Sequence, residues 1–533
     1  MALNTSCRAA ATRIKDVFVP GLLAHPLRRQ SALSNASASR STKLPTSLQL
    51  SACSSSLPLR HAQARRRRYM SSCSARPSPA SSDDSFTYNS PSNRPLEGIT
   101  IVALEQVISM PLATRHLADL GARVIKIERP GSGDFVRHHD SRVRGKLCSH
   151  FVWTNRNKES LALDIKNERD MGILKKLVCE KADVFVQNLR PGDAEKMGLG
   201  YEALKTAMNE YDPERRRGDA LIYASVSGYG SDGPYAHKKA YDLLIQAEAG
   251  VLSITGTEGD DGMAKVGCSI ADIAAGMYAY SNILGAIIQR QKTGKGCELD
   301  ISMLESLVEW MSFPMYYAHE GQAGPKRAGA SHASIYPYGP FSTGGGGKVM
   351  LGVQNEREWN ILATKVLQRD DLVQNPKFSN TASRSENRAE LEAVISGIFG
   401  QWNADEVTRR LEAAGIANAK VNDMQGVWEH PQLEARRRWR DVDTEVGKIK
   451  ALMAPGMNAD VDARMDKVPA VGEHNEGILK ELGMSVKSLL LLAKFEIPLP
   501  TSLESYVDMD ESASTNKSRK VIPLSLQYDF IIV

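Results

Sequence analysis

The sequence lacks a long apolar run. Its longest purely aliphatic stretch is Leu489 to Ala493, far short of the about 18 consecutive apolar residues that a membrane-spanning helix needs. Cysteine is sparse and scattered. Cys7, Cys53 and Cys73 lie near the N-terminus, and Cys148, Cys179, Cys268 and Cys297 follow without a CxxC pair or a matching histidine spacing. That pattern argues against a disulfide framework, predicts no metal site and fits a reducing compartment, with each thiol best read as core filling. Glycine is missing where a dinucleotide fingerprint would need it. The first strand runs into Glu105-Gln106-Val107-Ile108-Ser109 rather than GxGxxG, and neither a GxxxxGK[ST] loop nor a GxSxG elbow occurs. NAD, FAD, P-loop nucleotides and a serine-hydrolase mechanism are therefore disfavoured.

Acid is almost absent from one segment. Residues 1–80 hold eleven Arg, two Lys and fifteen Ser but one acid, Asp16. An Arg-rich, Ser-rich, acid-poor start has the character of a mitochondrial transit peptide, and Arg65–Arg68 before Tyr69 suggests cleavage near Tyr69. A basic tail for RNA or lipid is the other reading. The remaining chain carries 54 bases against 61 acids. The overall basicity thus does not belong to the folded body, which argues against nucleic-acid binding.

What is present is ordinary globular material: 533 residues, 42% hydrophobic and 24% charged, enough for two domains. After a polar linker at 81–94, Ile99–Leu104 reads as a strand. Ser109 caps a helix with Pro111 in its first turn, and Gly121 ends it. Arg123–Glu128 is the next strand. Helix 168–181 shows Ile173, Leu174, Leu177 and Val178 on one face. Strands 183–187 and 220–226 follow, then a long helix over 273–291, a strand at 298–302 and a helix at 303–311. Strands alternating with helices predict an open α/β domain, a parallel sheet covered by helices. Pro314, Pro325, Pro337, Pro340 and Gly344–Gly347 mark a boundary. The expected organisation is a large Rossmann-like domain at 95–313, a linker and small α/β domain at 314–427, a return to the large domain at 428–483, and an extension of unassigned role at 484–533.

Among the acids, Asp272 draws notice because it opens the long helix. Its residue type suits a helix N-cap. The pattern alone favours that cap; the same place would also suit a functional carboxylate kept ionised by the helix dipole, with Ala271, Ala274, Ala275 and Gly276 leaving room for a bulky substrate.

Several ordered blocks carry a resemblance: DLGARVIKIERPG at 119–131, NRNK at 155–158 leading to Leu163-Asp164, VQNLRPG at 186–192, SVSGYG at 225–230, Asp272 with Gly276-Met277, and KTGKG at 292–296. In this order they resemble the family III CoA-transferases, the CaiB/BaiF family, over about 95–483. The resemblance implies a Rossmann-like large domain, a smaller domain and an interlocked homodimer. It implies that Asp272 is a catalytic nucleophile that carries first an acyl group and then CoA. The CoA thioester is then a substrate, and no tightly bound cofactor or metal is required. It places Val107 and Ile108 along the pantetheine, and Arg129, Leu163, Asn188, Leu189 and Lys196 with the CoA-binding residues. The racemase branch of the family has a His-Asp pair where this chain has Tyr241-Asp242, and a tyrosine is a poor base near neutral pH. Transfer is therefore favoured over racemisation, and a catalytically silent CoA-binding protein is the remaining alternative. Framework segments at 240–247, 339–341 and 354–359 resemble the branch that moves CoA from succinyl-CoA to itaconate, mesaconate, citramalate or glutarate. Arg327, His332 and Arg357 are candidates to read the distal carboxylate, and Gly344–Gly347 is either a lid or a hairpin turn. The expected location is the mitochondrial matrix.

Overall fold

The computed structural model describes residues 94–457 and 463–484, all within one compact unit. The expected transit segment 1–80, the linker up to residue 93 and the extension beyond residue 484 lie outside the described residues.

Six strands form one parallel sheet: β1 Thr100–Leu104, β2 Arg123–Glu128, β3 Lys158–Ala162, β4 Val184–Gln187, β5 Ile222–Ser227 and β6 Cys297–Ser302. Their spatial order is β3-β2-β1-β4-β5-β6, and every pairing is parallel. This is the doubly wound α/β arrangement that the alternating pattern predicts. Period-2 alternation divides β1 between two cores. Ile101 and Ala103 enter one with helices α1 (Ser109–Asp119), α6 (Ile270–Thr293) and α7 (Met303–Trp310). Val102 and Leu104 enter the other with α3 (Glu168–Lys181) and α4 (Tyr201–Tyr211). Helix α2 (Ser149–Thr154) precedes β3, and α5 (Asp242–Glu248) precedes α6.

Most elements match the pattern reading within a few residues, and α3 buries the four apolar residues named from its periodicity. Two details differ. Strand β3 escaped notice because it is short and begins KES, with Lys158 fully buried beside Glu105 rather than solvated. Ser109 is the first helical residue of α1, not its cap; Ile108 stands before it without a side-chain cap.

A three-stranded antiparallel sheet, β7 (Tyr338–Ser342), β8 (Lys348–Gly352) and β9 (Ala417–Lys420), has its own core with helices such as α8 (Arg388–Phe399) and α9 (Ala404–Ala414). Gly344–Gly346 is the β7–β8 turn, pinned by the Gly344 N–H donating to the Trp402 carbonyl at 2.6 Å. The hairpin reading of these glycines therefore holds. After a short hairpin of β10 (Trp439–Val442) and β11 (Ile449–Leu452), the chain returns to the free edge of β3. There the Ser160 N–H donates to His474 Nδ1 at 3.2 Å and the Ala162 N–H to Asn475 Oδ1 at 2.8 Å, covering an otherwise open edge.

Candidate active site

In open α/β sheets, ligands settle outside the carboxyl ends of the strands, where the strand order reverses. Here that point lies between β1 and β4. Val107 and Ile108 follow β1, Arg129 follows β2, Leu163 follows β3, and Asn188 and Leu189 follow β4. The topology thus collects six of the seven expected CoA residues on one edge of four adjacent strands. Lys196 stands apart, in a short helix after β4, exposed and paired with Asp193 at 2.9 Å.

The switch point is held by buried polar groups. Asn188 Oδ1 accepts from the Gln106 N–H at 2.9 Å while its Nδ2 donates to the Gln106 carbonyl at 2.9 Å. The Asn188 amide is thereby committed to the backbone, and Leu163 is committed to the core. Val107 has φ 66°, a left-handed conformation that a β-branched residue adopts only under constraint. The constraint is Asp134, whose two carboxylate oxygens accept from the Val107 N–H at 3.3 and 3.1 Å. The turn after β1 thus takes a left-handed residue without a glycine.

Beneath it, Asp134 pairs with Lys126 at 2.9 Å, and Lys158 pairs with Glu105 at 2.6 Å, all fully or almost fully buried. Burial raises the Glu105 carboxyl, but the ammonium groups of Lys158 and Lys126 outweigh it, and the group sits below its usual range.

Asp272 lies in the first turn of α6. That turn is brought to the sheet edge by Gly276: a Cβ there would lie 2.5 Å from the Ser109 carbonyl oxygen. The backbone of α6 therefore crosses α1 closely, just where α1 leaves the switch point. Ala271, Ala274, Ala275 and Gly276 are buried in this packing, so the small residues serve a helix crossing rather than room for substrate.

Asp272 is not the cap of its own helix. Asp242 Oδ1, from α5, accepts from the Ala271 N–H at 2.8 Å and the Asp272 N–H at 3.3 Å, while Gln246 Nε2 holds Asp242 Oδ2 at 2.6 Å. The Ile273 N–H goes to the Ser269 carbonyl at 3.0 Å. The first-turn donors are thus spent, and the Asp272 carboxylate has no hydrogen-bond or ion-pair partner among the described residues. Burial, then the Asp242 charge, pushes its pKa up to about 7. The expectation that the helix dipole keeps Asp272 ionised fails, because Asp242 takes the amides that would have stabilised its charge.

Tyr241 is exposed. Of the candidates for a distal carboxylate, Arg327 donates to the Thr257 carbonyl at 2.9 Å and to the Gly259 carbonyl. His332 stacks on Tyr338, and its Nδ1 accepts from the Ser334 and Ile335 N–H groups; Arg357 is exposed. A cleft of about 1170 Å³ runs along the α1–α6 face, lined by Leu112, His116, Ile273, Met277 and Tyr280 and faced by Trp428.

Sequence reasoning missed one cluster. Asp140, Cys148 and His150 present ligand-type atoms within 4.8 Å of one another. The signal available was Cys148-Ser149-His150 with an acid eight residues before the cysteine.

The model of CoA-transferase family III matches residues 96–475. The chain belongs to CoA-transferase family III. The succinyl-CoA:glutarate CoA-transferase of Homo sapiens is 35% identical over 396 residues, spanning 73% of this chain and 86% of that one. The succinyl-CoA:mesaconate CoA-transferase of Haloarcula hispanica is 30% identical over 402 residues, 73% and 96% of the two chains. Among solved structures, a CaiB/BaiF family protein from Brucella suis matches with TM-score 0.65 and 32% identity, covering 73% of this chain and all of that one. The protein is thus a family III CoA-transferase with acyl-CoA and carboxylic-acid substrates, built on the family's α/β fold.

Proposed function

We propose that this enzyme moves CoA from succinyl-CoA to a small dicarboxylic acid through a thioester on Asp272. The observation that carries the reading is the unpartnered Asp272 carboxylate, partly buried in the first turn of α6 beside the sheet's switch point. A carboxylate spent on a cap or salt bridge would be a poor nucleophile; this one is available.

The chemistry uses no outside energy. The Asp272 carboxylate attacks the donor thioester carbonyl, giving a mixed anhydride and CoA thiolate. The thiolate attacks the Asp272 carbonyl, forming aspartyl-CoA and releasing succinate. The acceptor carboxylate attacks that thioester and returns the thiolate, which then takes the acceptor acyl group and frees Asp272. Every step exchanges one activated acyl bond for another, so CoA is a substrate and a resident cofactor has no task. Partial burial of Asp272 limits competing hydrolysis. The oxyanion donors must lie outside the first turn of α6, whose amides are engaged.

In this reading CoA lies along the ends of β1 to β4. Val107 and Ile108 border the pantetheine, Arg129 and Lys196 face the phosphates, and Leu163 and the Asn188–Leu189 turn supply shape and backbone rather than the Asn188 amide. Dicarboxylate acceptors are supported by the glutarate and mesaconate transferases among the relatives. An interlocked homodimer is supported by exposed apolar side chains such as Phe313, Tyr316 and Met424. We further propose the division into a large part at 95–313 and 428–483 with a small part at 314–427. The Arg-rich, acid-poor start supports a mitochondrial matrix location.

The test is a panel of carboxylic acids offered with succinyl-CoA, read by mass spectrometry for wild type and Asp272→Ala. The expected result is new acyl-CoA from small dicarboxylates with wild type only. Transfer by the variant at the wild-type rate would overturn the mechanism, and reaction only with branched long-chain acyl-CoA would overturn the substrate class.

A further inference from the structure

From the Asp140–Cys148–His150 cluster we infer a binding site for one zinc-type divalent cation, held by the Asp140 carboxylate, the Cys148 thiolate and the His150 imidazole, with water in the fourth position.

The three ligand atoms form a triangle. Cys148 Sγ lies 3.4 Å from Asp140 Oδ2 and 3.9 Å from His150 Nδ1, and His150 Nδ1 lies 3.6 Å from Asp140 Oδ2. A tetrahedral zinc ion, with bonds of about 2.3 Å to sulfur and 2.0–2.1 Å to nitrogen and oxygen, spaces its ligands about 3.3–3.6 Å apart. The sulfur–oxygen edge already lies in that range, and the two edges to His150 Nδ1 must each shorten by about 0.3 Å, within reach of a small rotation of the half-exposed His150 side chain. Sulfur, nitrogen and oxygen together suit zinc or cobalt rather than magnesium or calcium.

Charge balances as well. Binding replaces the Cys148 thiol proton, which leaves to solvent, so a thiolate, a carboxylate and a neutral imidazole meet a 2+ ion with no net charge. The surroundings orient the ligands. Ser149 Oγ donates to Asp140 Oδ2 at 2.7 Å and the Ser149 N–H to Asp140 Oδ1 at 3.0 Å, the kind of outer bonding that fixes a ligand's direction. Cys148 is buried, while the His150 side chain keeps 41% of its surface exposed, leaving a side open for metal entry and the water.

The site would close the loop from Asp140 to Cys148. That loop is pinned internally by the Val143–Leu147 bridge, and its Arg144 donates to the Lys448 carbonyl at 2.5 Å. The loop thereby braces the β10–β11 hairpin on the rim of the cleft. The ion's role is to staple this rim, and the transfer chemistry does not pass through it.

The bland alternative is a core-filling Cys148, which packs beside Val136, Phe151, Val442 and Val468. The full chain, stripped with chelator and titrated with Co(II) without CoA present, separates the two. We expect about one equivalent to give the near-ultraviolet thiolate-to-cobalt band and the strong visible bands of tetrahedral cobalt. One equivalent of Zn(II) should erase them and raise the melting temperature. Cys148→Ser and His150→Ala should each lose the bands while melting like the metal-free wild type; Cys268→Ser should keep them. Absence of the bands, or their survival in both Cys148→Ser and His150→Ala, would overturn the site. His150→Ala gives the same decision if Cys148→Ser fails to fold.

Discussion

Replacing Asp272 by asparagine should make the protein more stable and inactive, and the gain should depend on pH. The Asp272 carboxyl titrates at about 7 in the fold against 3.8 in an ordinary setting. Its pKa is raised, so the folded state holds a proton that the unfolded chain gives up. Stability from the neutral group is fully present below about pH 3.8, declines as pH rises from there, and is lost once pH passes about 7. Three pK units at 1.36 kcal/mol each set a ceiling of about 4 kcal/mol. Because the group is partly exposed, solvent screening lowers the expected effect to about 1–3 kcal/mol. Asparagine keeps the shape, carries no charge beside Asp242 and does not titrate. The assay is thermal or urea unfolding of both proteins from pH 4.5 to 8.5. The variant's advantage should widen between pH 4.5 and 7 and then stay level. A gap that is constant with pH would mean that Asp272 is solvated like any surface acid, and one that narrows would mean that the fold favours its charge; either would refute the reasoning. In the wild type, CoA transfer at subsaturating substrate should rise with pH to a plateau above 7, as the nucleophile ionises.

Asp242→Ala removes the cap that α5 provides for α6. It should cost about 1–2 kcal/mol, measured by urea unfolding, with a lowered pH midpoint for transfer once the neighbouring charge is gone. Gly276→Val forces a side chain against the Ser109 carbonyl. It should destabilise by about 1–3 kcal/mol and slow transfer, because α6 carries Asp272; a variant that melts and transfers like wild type would contradict the close crossing. Glu105→Gln leaves Lys158 and Lys126 short of a buried partner and should cost about 3–5 kcal/mol, whereas unchanged urea unfolding would mean that the network is slack.

How far the sequence could be read depended on how local the signal was. The face of α3 was legible because four apolar residues recur at helical spacing, and β1 because both of its faces are apolar. Strand β3 was not, since a lysine is a strand-core residue only when a buried glutamate awaits it, here Glu105 just past the end of β1. The edge that gathers Val107, Arg129, Leu163 and Asn188 followed from the order of the blocks. That the Asn188 side chain would be taken up by Gln106 did not, because the partner lies 82 positions away.

The sequence by itself determined the alternation of strands and helices, the confinement of the net basic excess to the first segment, and the ordered blocks that place the chain among family III CoA-transferases. Each is written in residues close together along the chain, where spacing and type suffice. Only the tertiary structure decided that Asp242 rather than Asp272 caps the long helix, that the small residues around Asp272 serve a helix crossing, and that Asp140, Cys148 and His150 meet. Those outcomes turn on burial and on partners brought from distant segments. A carboxyl group becomes a helix cap, as Asp242 does, or stays without a partner, as Asp272 does, according to what faces it in the fold.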